Sequence, residues 1–166
     1  MCALNLSQAD SDKLAELIKD AGVAMVTTVA ADGALRSRPM ASTKHGFDGA
    51  LWFFTADDSG KAGEIAVHEQ VNVSFAEPRH ERYVSLSGRA RLLRDAAKAK
   101  EMWNPLLKGW FPGGLEDPRL ALLRVEIEHA EYWDAKSSRM LVFLSLARAA
   151  VTGHPPEHLG EHKKLG

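Results

Sequence analysis

Short strand-like segments separated by tight turns run through most of the chain, and they constrain its fold more than any other feature. The apolar, β-branched segment 23–30 is followed by the hairpin turn Ala31-Asp32-Gly33 and then by the return segment 34–43. Similar segments follow at 51–55, 71–77 and 83–93, and 120–134 contains one long strand or two joined by a kink. Most connections between them are too short for the crossover helices of a parallel sheet. The pattern predicts a mainly β fold, a small antiparallel β-barrel of about five or six strands with flanking helices.

Four segments have the apolar spacing or the composition of helices. They cover residues 11–21, 60–69, 95–103 and 137–153. Residues 154–166 are polar and rich in proline and glycine, so we expect one domain over 1–153 followed by a polar C-terminal tail. Gly88 lies in the middle of a strand-like segment and predicts a β-bulge there.

Composition argues against several classes of function. The 166-residue chain has a formal net charge of -1, so no overall basic field favours nucleic acid or membrane surfaces. Its longest strongly apolar stretch, 140–150, is too short to span a bilayer and contains Arg148. The single cysteine, Cys2, and the lack of a basic and apolar leader segment indicate a reducing, cytoplasmic setting.

Three histidines near the C-terminus are the candidates for a metal site. His154, His158 and His162 recur every four residues, as ligands on one face of a helix would. Two prolines and a glycine interrupt any such helix, and no cysteine or carboxylate is clearly arranged with the histidines. We therefore predict no metal site.

Two arginines on one predicted strand are the first candidate for a binding site. Arg36 and Arg38 are two residues apart, so both side chains leave the same face of the strand. Like charges at this separation repel unless an anion lies between or above them. Pro39 has no backbone N–H, which indicates a strand end or a sheet edge. The alternative is a pair of solvated surface arginines.

The second candidate is the polar turn that ends the apolar segment 51–55. Thr55 closes the segment, and Ser59 and Lys61 stand at the start of the predicted helix that follows. Ser59 is a good N-cap residue, and the first N–H groups of a helix attract anions. The spacing of a P-loop is absent. Together with an arginine from the neighbouring segment, this turn has the groups that hold a phosphate monoester.

Aromatic residues form a third group of candidates. Phe53 and Phe54 belong to an apolar run of the kind that usually lies in the core. Trp133 precedes Arg139 by six residues, and such a pair could stack on a flat heterocycle and hydrogen-bond to it. The alternative for Trp133 is a boundary residue that covers the core.

Four motifs in a fixed order resemble the pyridoxamine 5′-phosphate oxidase-like flavoproteins, and most closely their general stress protein 26 branch. They are RSRPM at 36–40, LWFFTADDSGK at 51–61, RYVSLSGRARLL at 82–93 and EYWDAKSSR at 131–139. The resemblance covers about residues 8–160. It implies a six-stranded split barrel that forms a homodimer, with two FMN molecules bound at the subunit interface.

The resemblance also implies roles for individual residues. Arg38, Ser59 and Lys61 would hold the flavin phosphate, within a site that includes Arg36, Ser37 and Pro39. Phe53, Phe54 and Thr55 would run along the isoalloxazine ring, partly through their backbone, and Tyr83 takes the place of a glutamine beside the flavin. Trp133 and Arg139 would contribute from the partner subunit.

The expected function is that of an FMN-dependent oxidoreductase with a role in stress response and an unassigned small-molecule substrate or electron donor. The oxidase family continues from its late arginine into an Arg-Leu-His-Asp-Arg run, where this chain reads Arg139-Met140-Leu141-Val142-Phe143. We therefore expect no pyridoxal phosphate substrate site. The alternatives are a non-catalytic flavin-binding sensor, with aromatic residues of segment 103–111 over the flavin, and a split barrel that uses deazaflavin or haem.

Overall fold

The computed structural model describes residues 7–42, 47, 49–134 and 161–165, in which strands predominate. Three α-helices are present in this part of the chain: α1 (Gln8–Ile18), α2 (Gly60–Val67) and α3 (Ala96–Met102). The strands are β1 (Val23–Val29), β2 (Leu35–Ala41), β3 (Ala50–Ala56), β4 (Gln70–Glu77), β5 (Arg82–Leu93), β6 (Leu120–Asp134) and β7 (Glu161–Leu165). Short 3₁₀ turns cover Pro78–His80, Pro105–Gly109 and Gly114–Glu116.

The strands form one antiparallel sheet in the order β2-β1-β4-β5-β6-β3, with β7 also paired to β6. Strand β6 is long enough to serve two partners on one edge, because β3 pairs with its first half and β7 with its last five residues. The sheet curves into a half-barrel, which confirms the predicted antiparallel barrel with flanking helices.

Alternation along the strands separates a buried face from an exposed one. On β1, Ala24, Val26 and Thr28 are buried, while the alternating residues Val23 and Met25 are exposed. The buried residues of all seven strands join Leu14, Leu17 and Ile18 of α1 in one hydrophobic core. The helix starts three residues earlier than predicted because the Ser7 hydroxyl accepts a hydrogen bond from the Asp10 N–H and caps it.

The predicted bulge is confirmed at Gly88. The β5–β6 register shifts between Ser87 and Gly88, which leaves Glu128 as the extra residue. A Cβ at position 88 would overlap the backbone oxygen of Glu126, so the strands approach each other here at a distance that only glycine permits.

The C-terminal region differs from its prediction. Residues 161–165, predicted as part of a polar tail, form β7, and Leu165 is buried in the core. The polar composition of this segment gave no strand signal, because its charged residues pair with groups such as Asp10 and Glu131 at the surface.

The helix predicted over 137–153 lies outside the described residues. Among the helices that are described, none has the length and apolar character needed to cross a membrane.

Candidate functional site

The two arginines of β2 lie beside α2, against a threonine of the neighbouring strand. Register places Arg36 opposite Thr28 and Arg38 opposite Val26 on β1. Arg38 donates through Nη1 to the Thr28 hydroxyl at 2.6 Å and through Nη2 to Glu64 Oε2 at 2.7 Å. Arg36 donates to Glu64 Oε1 at 3.2 Å and remains more than half exposed. The β-sheet period of two thus brings both guanidinium groups to one carboxylate on α2.

Glu64 therefore supplies the negative charge between Arg36 and Arg38 that was expected from a bound ligand. The repulsion between Arg36 and Arg38 is relieved within the chain, so the pair by itself does not require a bound phosphate. Sequence reasoning did not single out Glu64. The sequence feature that could have identified Glu64 is its position one helical turn after Lys61, on the same face of the predicted helix.

Ser59 stands at the N-cap position of α2, as predicted, but its side chain makes no capping hydrogen bond. Its Oγ is inaccessible to solvent and has no hydrogen-bond partner among the residues that the structure describes. A buried hydroxyl in this state costs about 1–3 kcal/mol, so an unmet partner at this point is energetically significant. The first N–H groups of the helix, at Gly60 and Lys61, lie next to it without intrahelical acceptors.

Lys61, two residues after Ser59, adds a cation close to Arg38. Its side chain is half-buried, and no carboxylate within the described ranges pairs with it. Burial lowers the pKa of Lys61 below the ordinary lysine value, and the nearby positive charge of Arg38 lowers this pKa further. Both effects disfavour the ammonium form, and an anion bound beside it would offset them.

The charges at the start of α2 do not balance. Arg36, Arg38 and Lys61 carry three positive charges, and Glu64 carries one negative charge. Asp32 lies 3.9 Å from Arg36, but both side chains are mostly exposed, so water screens this pair. The positive charges of Arg38 and Lys61, opposed there by Glu64 alone among the buried or half-buried groups in the contacts above, suit a phosphate monoester, which carries about -2 at neutral pH. Backbone N–H groups, a hydroxyl and two kinds of cation together can bind such a group.

Ser37 and Pro39 lie on the opposite side of β2 from the arginines. Both are exposed, and the Ser37 hydroxyl shares a 2.7 Å hydrogen bond with that of Thr27. Strand alternation therefore separates the predicted RSRP segment into two sets, of which Arg36 and Arg38 face the start of α2.

The aromatic residues of β3 also divide between the two faces of the sheet. Phe53 is a member of the hydrophobic core and Thr55 is buried. Phe54 is on the other face, where its ring meets Trp103 edge-on with the ring centres 5.8 Å apart. The side chain of Phe53 therefore has a structural role, while Phe54 and the backbone of β3 remain candidates for ligand contacts.

Tyr83 and Trp133 are neighbours on β5 and β6, on the exposed face of the sheet. Trp133 in turn is paired with His162 of β7, whose ring stacks on the indole with the centres 5.1 Å apart and the planes 7° from parallel. His162 Nε2 also lies 2.6 Å from Glu131 Oε1. Sequence reasoning missed this stack because it placed His162 in a tail. Arg139 lies outside the described residues.

Comparison with known proteins identifies relatives over most of the chain. The sequence profile of the family described as pyridoxamine 5′-phosphate oxidase like matches residues 9–157. This matched range contains Arg38, Ser59 and Lys61. Protein bli-3 from Neurospora crassa is 32% identical over 142 residues, which cover 79% of this chain and 67% of that protein.

Solved structures share the fold. A protein from Jannaschia sp. CCS1 described as a general stress protein 26 has a TM-score of 0.74 and 23% identity, and the match covers 95% of this chain and 99% of that protein. At this identity the likeness supports the fold alone. The general stress FMN/FAD binding protein from Xanthomonas citri has a TM-score of 0.68 and 30% identity, with coverage of 80% of this chain and 93% of that protein.

Proposed function

The chain belongs to the pyridoxamine 5′-phosphate oxidase-like family, and on this premise we propose that it is a flavoprotein that binds FMN through the start of α2. The relative from Xanthomonas citri is described as an FMN/FAD binding protein. We extend flavin binding to this chain and choose FMN because the surplus charge beside Lys61 suits a terminal phosphate monoester.

The observation that carries this proposal is the buried Ser59 Oγ, which has no hydrogen-bond partner in the described part of the chain. Lys61 follows two residues later, close enough to Arg38 for their charges to interact. In the proposed complex, Ser59, Lys61 and Arg38 hold the phosphate, together with the first N–H groups of α2. Arg36 is more exposed and already pairs with Glu64, so its role is to add positive charge at the rim.

The ring of the flavin is assigned to β3, next to this site. The backbone of β3 around Phe54 and Thr55 would orient the ring, while Phe53 supports β3 from the core. Tyr83, the neighbour of Trp133 on the paired strand, would reach the flavin of a partner subunit together with Trp133 and Arg139. When bound, the flavin supplies hydride or electron transfer, and the protein binds it, orients it and tunes its surroundings.

We also propose that the protein forms a homodimer with the flavin at the subunit interface. Apolar side chains on the outer face of the sheet support this, since Val23, Met25, Tyr83 and Trp133 are all exposed there. Residues of this kind are typical of the buried centre of an interface. A two-fold axis would repeat each contact and could place two equivalent flavin sites between the subunits.

The proposed activity is an FMN-dependent oxidoreductase with a role in stress response. A non-catalytic flavin module is the second candidate. The contact of Trp103 with Phe54 favours it, because this contact brings the start of the aromatic segment 103–111 next to β3. Turnover of reduced nicotinamide with a panel of acceptors separates the two. Steady turnover by the flavin-loaded protein supports the oxidoreductase, while a stably bound but unreactive flavin supports the module.

The binding proposal is tested with the protein as purified and after removal of any flavin. We expect visible flavin absorption in the first case and saturable FMN binding by fluorescence titration in the second. Arg38→Ala and Lys61→Ala should each weaken FMN binding by about tenfold or more, because each removes a charge-assisted contact. Lys19→Ala, just after α1, is the matched control. A colourless protein that binds no FMN would contradict the proposal.

A further inference from the structure

Glu64 of α2 forms hydrogen bonds with residues of β1 and β2 beside the proposed phosphate site. One carboxylate oxygen, Oε1, accepts from Arg36 at 3.2 Å, and the other, Oε2, accepts from Arg38 at 2.7 Å. Oε2 also accepts the hydroxyl hydrogen bond of Thr28 at 2.5 Å. The Glu64 side chain is only 10% exposed. It is therefore held in one place between β1, β2 and α2.

Thr28 fixes the same arginine from a second direction. Its side chain is completely buried. A hydroxyl has one proton, and in the short contact with Glu64 that proton is donated to the carboxylate. The hydroxyl oxygen is then available to accept from Arg38 Nη1, 2.6 Å away. Two nitrogens of the Arg38 guanidinium are thus held by two linked acceptors, which fixes the orientation of its plane.

This arrangement leaves donors on Arg38 for a ligand. A guanidinium has five N–H groups, and the contacts with Thr28 and Glu64 use two of them. Arg38 lies close enough to Lys61 for their charges to interact. Without Glu64, Arg36, Arg38 and Lys61 would repel one another, and the arginines would move apart into solvent. A site held in its binding geometry avoids the entropy cost of ordering such long side chains.

Glu64 is ionised under the conditions in which a phosphate monoester is a dianion. The hydrogen bond from Thr28 lowers the pKa of Glu64 below its ordinary value, and the charges of Arg38 and Arg36 lower it further, although burial acts in the opposite direction. The carboxylate therefore stays charged at neutral pH and keeps its hydrogen bonds with both arginines.

We propose that Glu64 is a positioning residue that, with Thr28, holds Arg38 ready to bind the phosphate of FMN. This inference rests on the proposed function, because it assumes that FMN is the ligand. It predicts in which direction the affinity for FMN changes when the Glu64 charge is removed. Glu64 is a negative charge close to a phosphate, and simple repulsion predicts that its removal strengthens binding. The positioning role predicts that removal weakens binding.

The test measures FMN and riboflavin affinities for the flavin-free protein and its variants, because riboflavin lacks the phosphate. Glu64→Gln should weaken FMN binding by about tenfold, the effect of losing one charge-assisted contact, and change riboflavin binding by less than about twofold. Thr28→Val, which removes the hydroxyl with little change in shape, should have the same phosphate-dependent effect. The double variant should lose less than the product of the two single losses, because both act through Arg38.

Glu69→Gln is the matched control. Glu69 also pairs with two arginines, Arg89 at 3.8 Å and Arg91 at 3.4 Å, but these lie on β5 away from the start of α2. We expect this variant to bind FMN like the wild type. Melting temperatures of all variants show whether a change in affinity is caused by a loss of folding.

Each outcome decides a different question. If wild type binds no FMN, the proposed function fails and the role of Glu64 fails with it. If wild type binds FMN while Glu64→Gln binds it equally or more tightly, the positioning role alone is wrong. Parallel losses of FMN and riboflavin binding in both single variants would show a general structural role and would also overturn the inference.

Discussion

At the scale of single residues, the start of α2 holds two polar groups that folding leaves poorly satisfied. The Ser59 hydroxyl is buried without a partner in the described part of the chain, and Lys61 is half-buried beside another cation. Both features cost stability in the free protein, and the proposed bound anion would relieve both. Such local costs are typical of binding sites, because a group that is already satisfied has little to gain from a ligand.

Replacement of Ser59 by alanine should separate stability from binding. We expect Ser59→Ala to stabilise the flavin-free protein slightly, by about 1 kcal/mol, because it removes an unsatisfied buried hydroxyl that makes no capping bond. The same change should weaken FMN binding. Urea unfolding and FMN titration measure the two effects. A variant that is clearly less stable than wild type would contradict the assignment of this hydroxyl to a ligand.

The pH dependence of FMN binding should report on Lys61. Its lowered pKa means that the free protein loses this charge at a pH below the ordinary lysine value of about 10.4. A bound phosphate favours the ammonium form and raises the pKa of Lys61 in the complex. FMN affinity should therefore be constant near neutral pH and fall as the pH rises through the pKa of the free protein. Titrations across this range check the prediction.

Lys61→Arg is the control for this profile, because arginine stays charged throughout the range. The variant should keep its affinity at high pH, whatever its affinity at neutral pH. Equal slopes for wild type and Lys61→Arg would show that another group titrates.

At the scale of elements, the pairing of β5 with β6 organises the sheet. These are the two longest strands in the described residues, and they run together from Leu93 and Leu122 at one end to Arg82 and Asp134 at the other. The bulge at Gly88 bends the pair in the middle. Buried Asp134 closes its far end, where it accepts from Lys13 of α1 at 2.7 Å and from Arg82 at 3.4 Å.

Gly88→Ala should destabilise the fold by about 3 kcal/mol, because the added methyl group overlaps the backbone oxygen of Glu126 and neither strand can move without breaking the ladder. Gly63→Ala provides the contrast. Gly63 is in the interior of α2, where an added Cβ would meet no other atom within 4 Å, so alanine should stabilise by about 0.5–1 kcal/mol. Urea unfolding of both variants tests this, and similar stabilities would show that the close approach at Gly88 is not required.

At the scale of the whole molecule, the outer face of the sheet is the surface that a second subunit would cover. It combines exposed apolar residues with short polar side chains, such as Asn72, whose amide donates to Ser85 at 2.9 Å and to Ser87 at 3.2 Å. Met25, 41% exposed, lies on this face on β1, opposite Ser74 of β4. Exposed apolar side chains that share one face are typical of a surface that a partner covers.

Met25→Lys should convert the proposed dimer into a monomer without unfolding it, because the side chain is exposed in the isolated chain but would be buried against a partner. Light scattering after size exclusion measures the mass, and circular dichroism checks the fold. Val67→Lys, at an exposed apolar position at the end of α2, should leave the mass unchanged. A wild-type protein that is already monomeric at micromolar concentration would overturn the dimer proposal.

The sequence predicted most of the fold because the signals are local. Alternation, the Asp32-Gly33 turn and the mid-strand Gly88 each act within a few residues, and they placed β1 to β6 and the bulge. It did not predict β7, since a short, charged segment becomes a strand only when the free edge of β6 accepts it. The order of strands was likewise decided by contacts between distant segments.

For the site, the sequence by itself determined which residue types stand at the end of β3 and on β2, and so the presence of Ser59, Lys61 and Arg38 in a family-like order. Only the tertiary structure decided how they are used. It placed Glu64 between the two arginines and left the Ser59 hydroxyl buried without a partner among the described residues. The physical reason is that charge balance and hydrogen-bond satisfaction depend on which side chains the fold brings within a few ångströms, and spacing along the chain does not specify that.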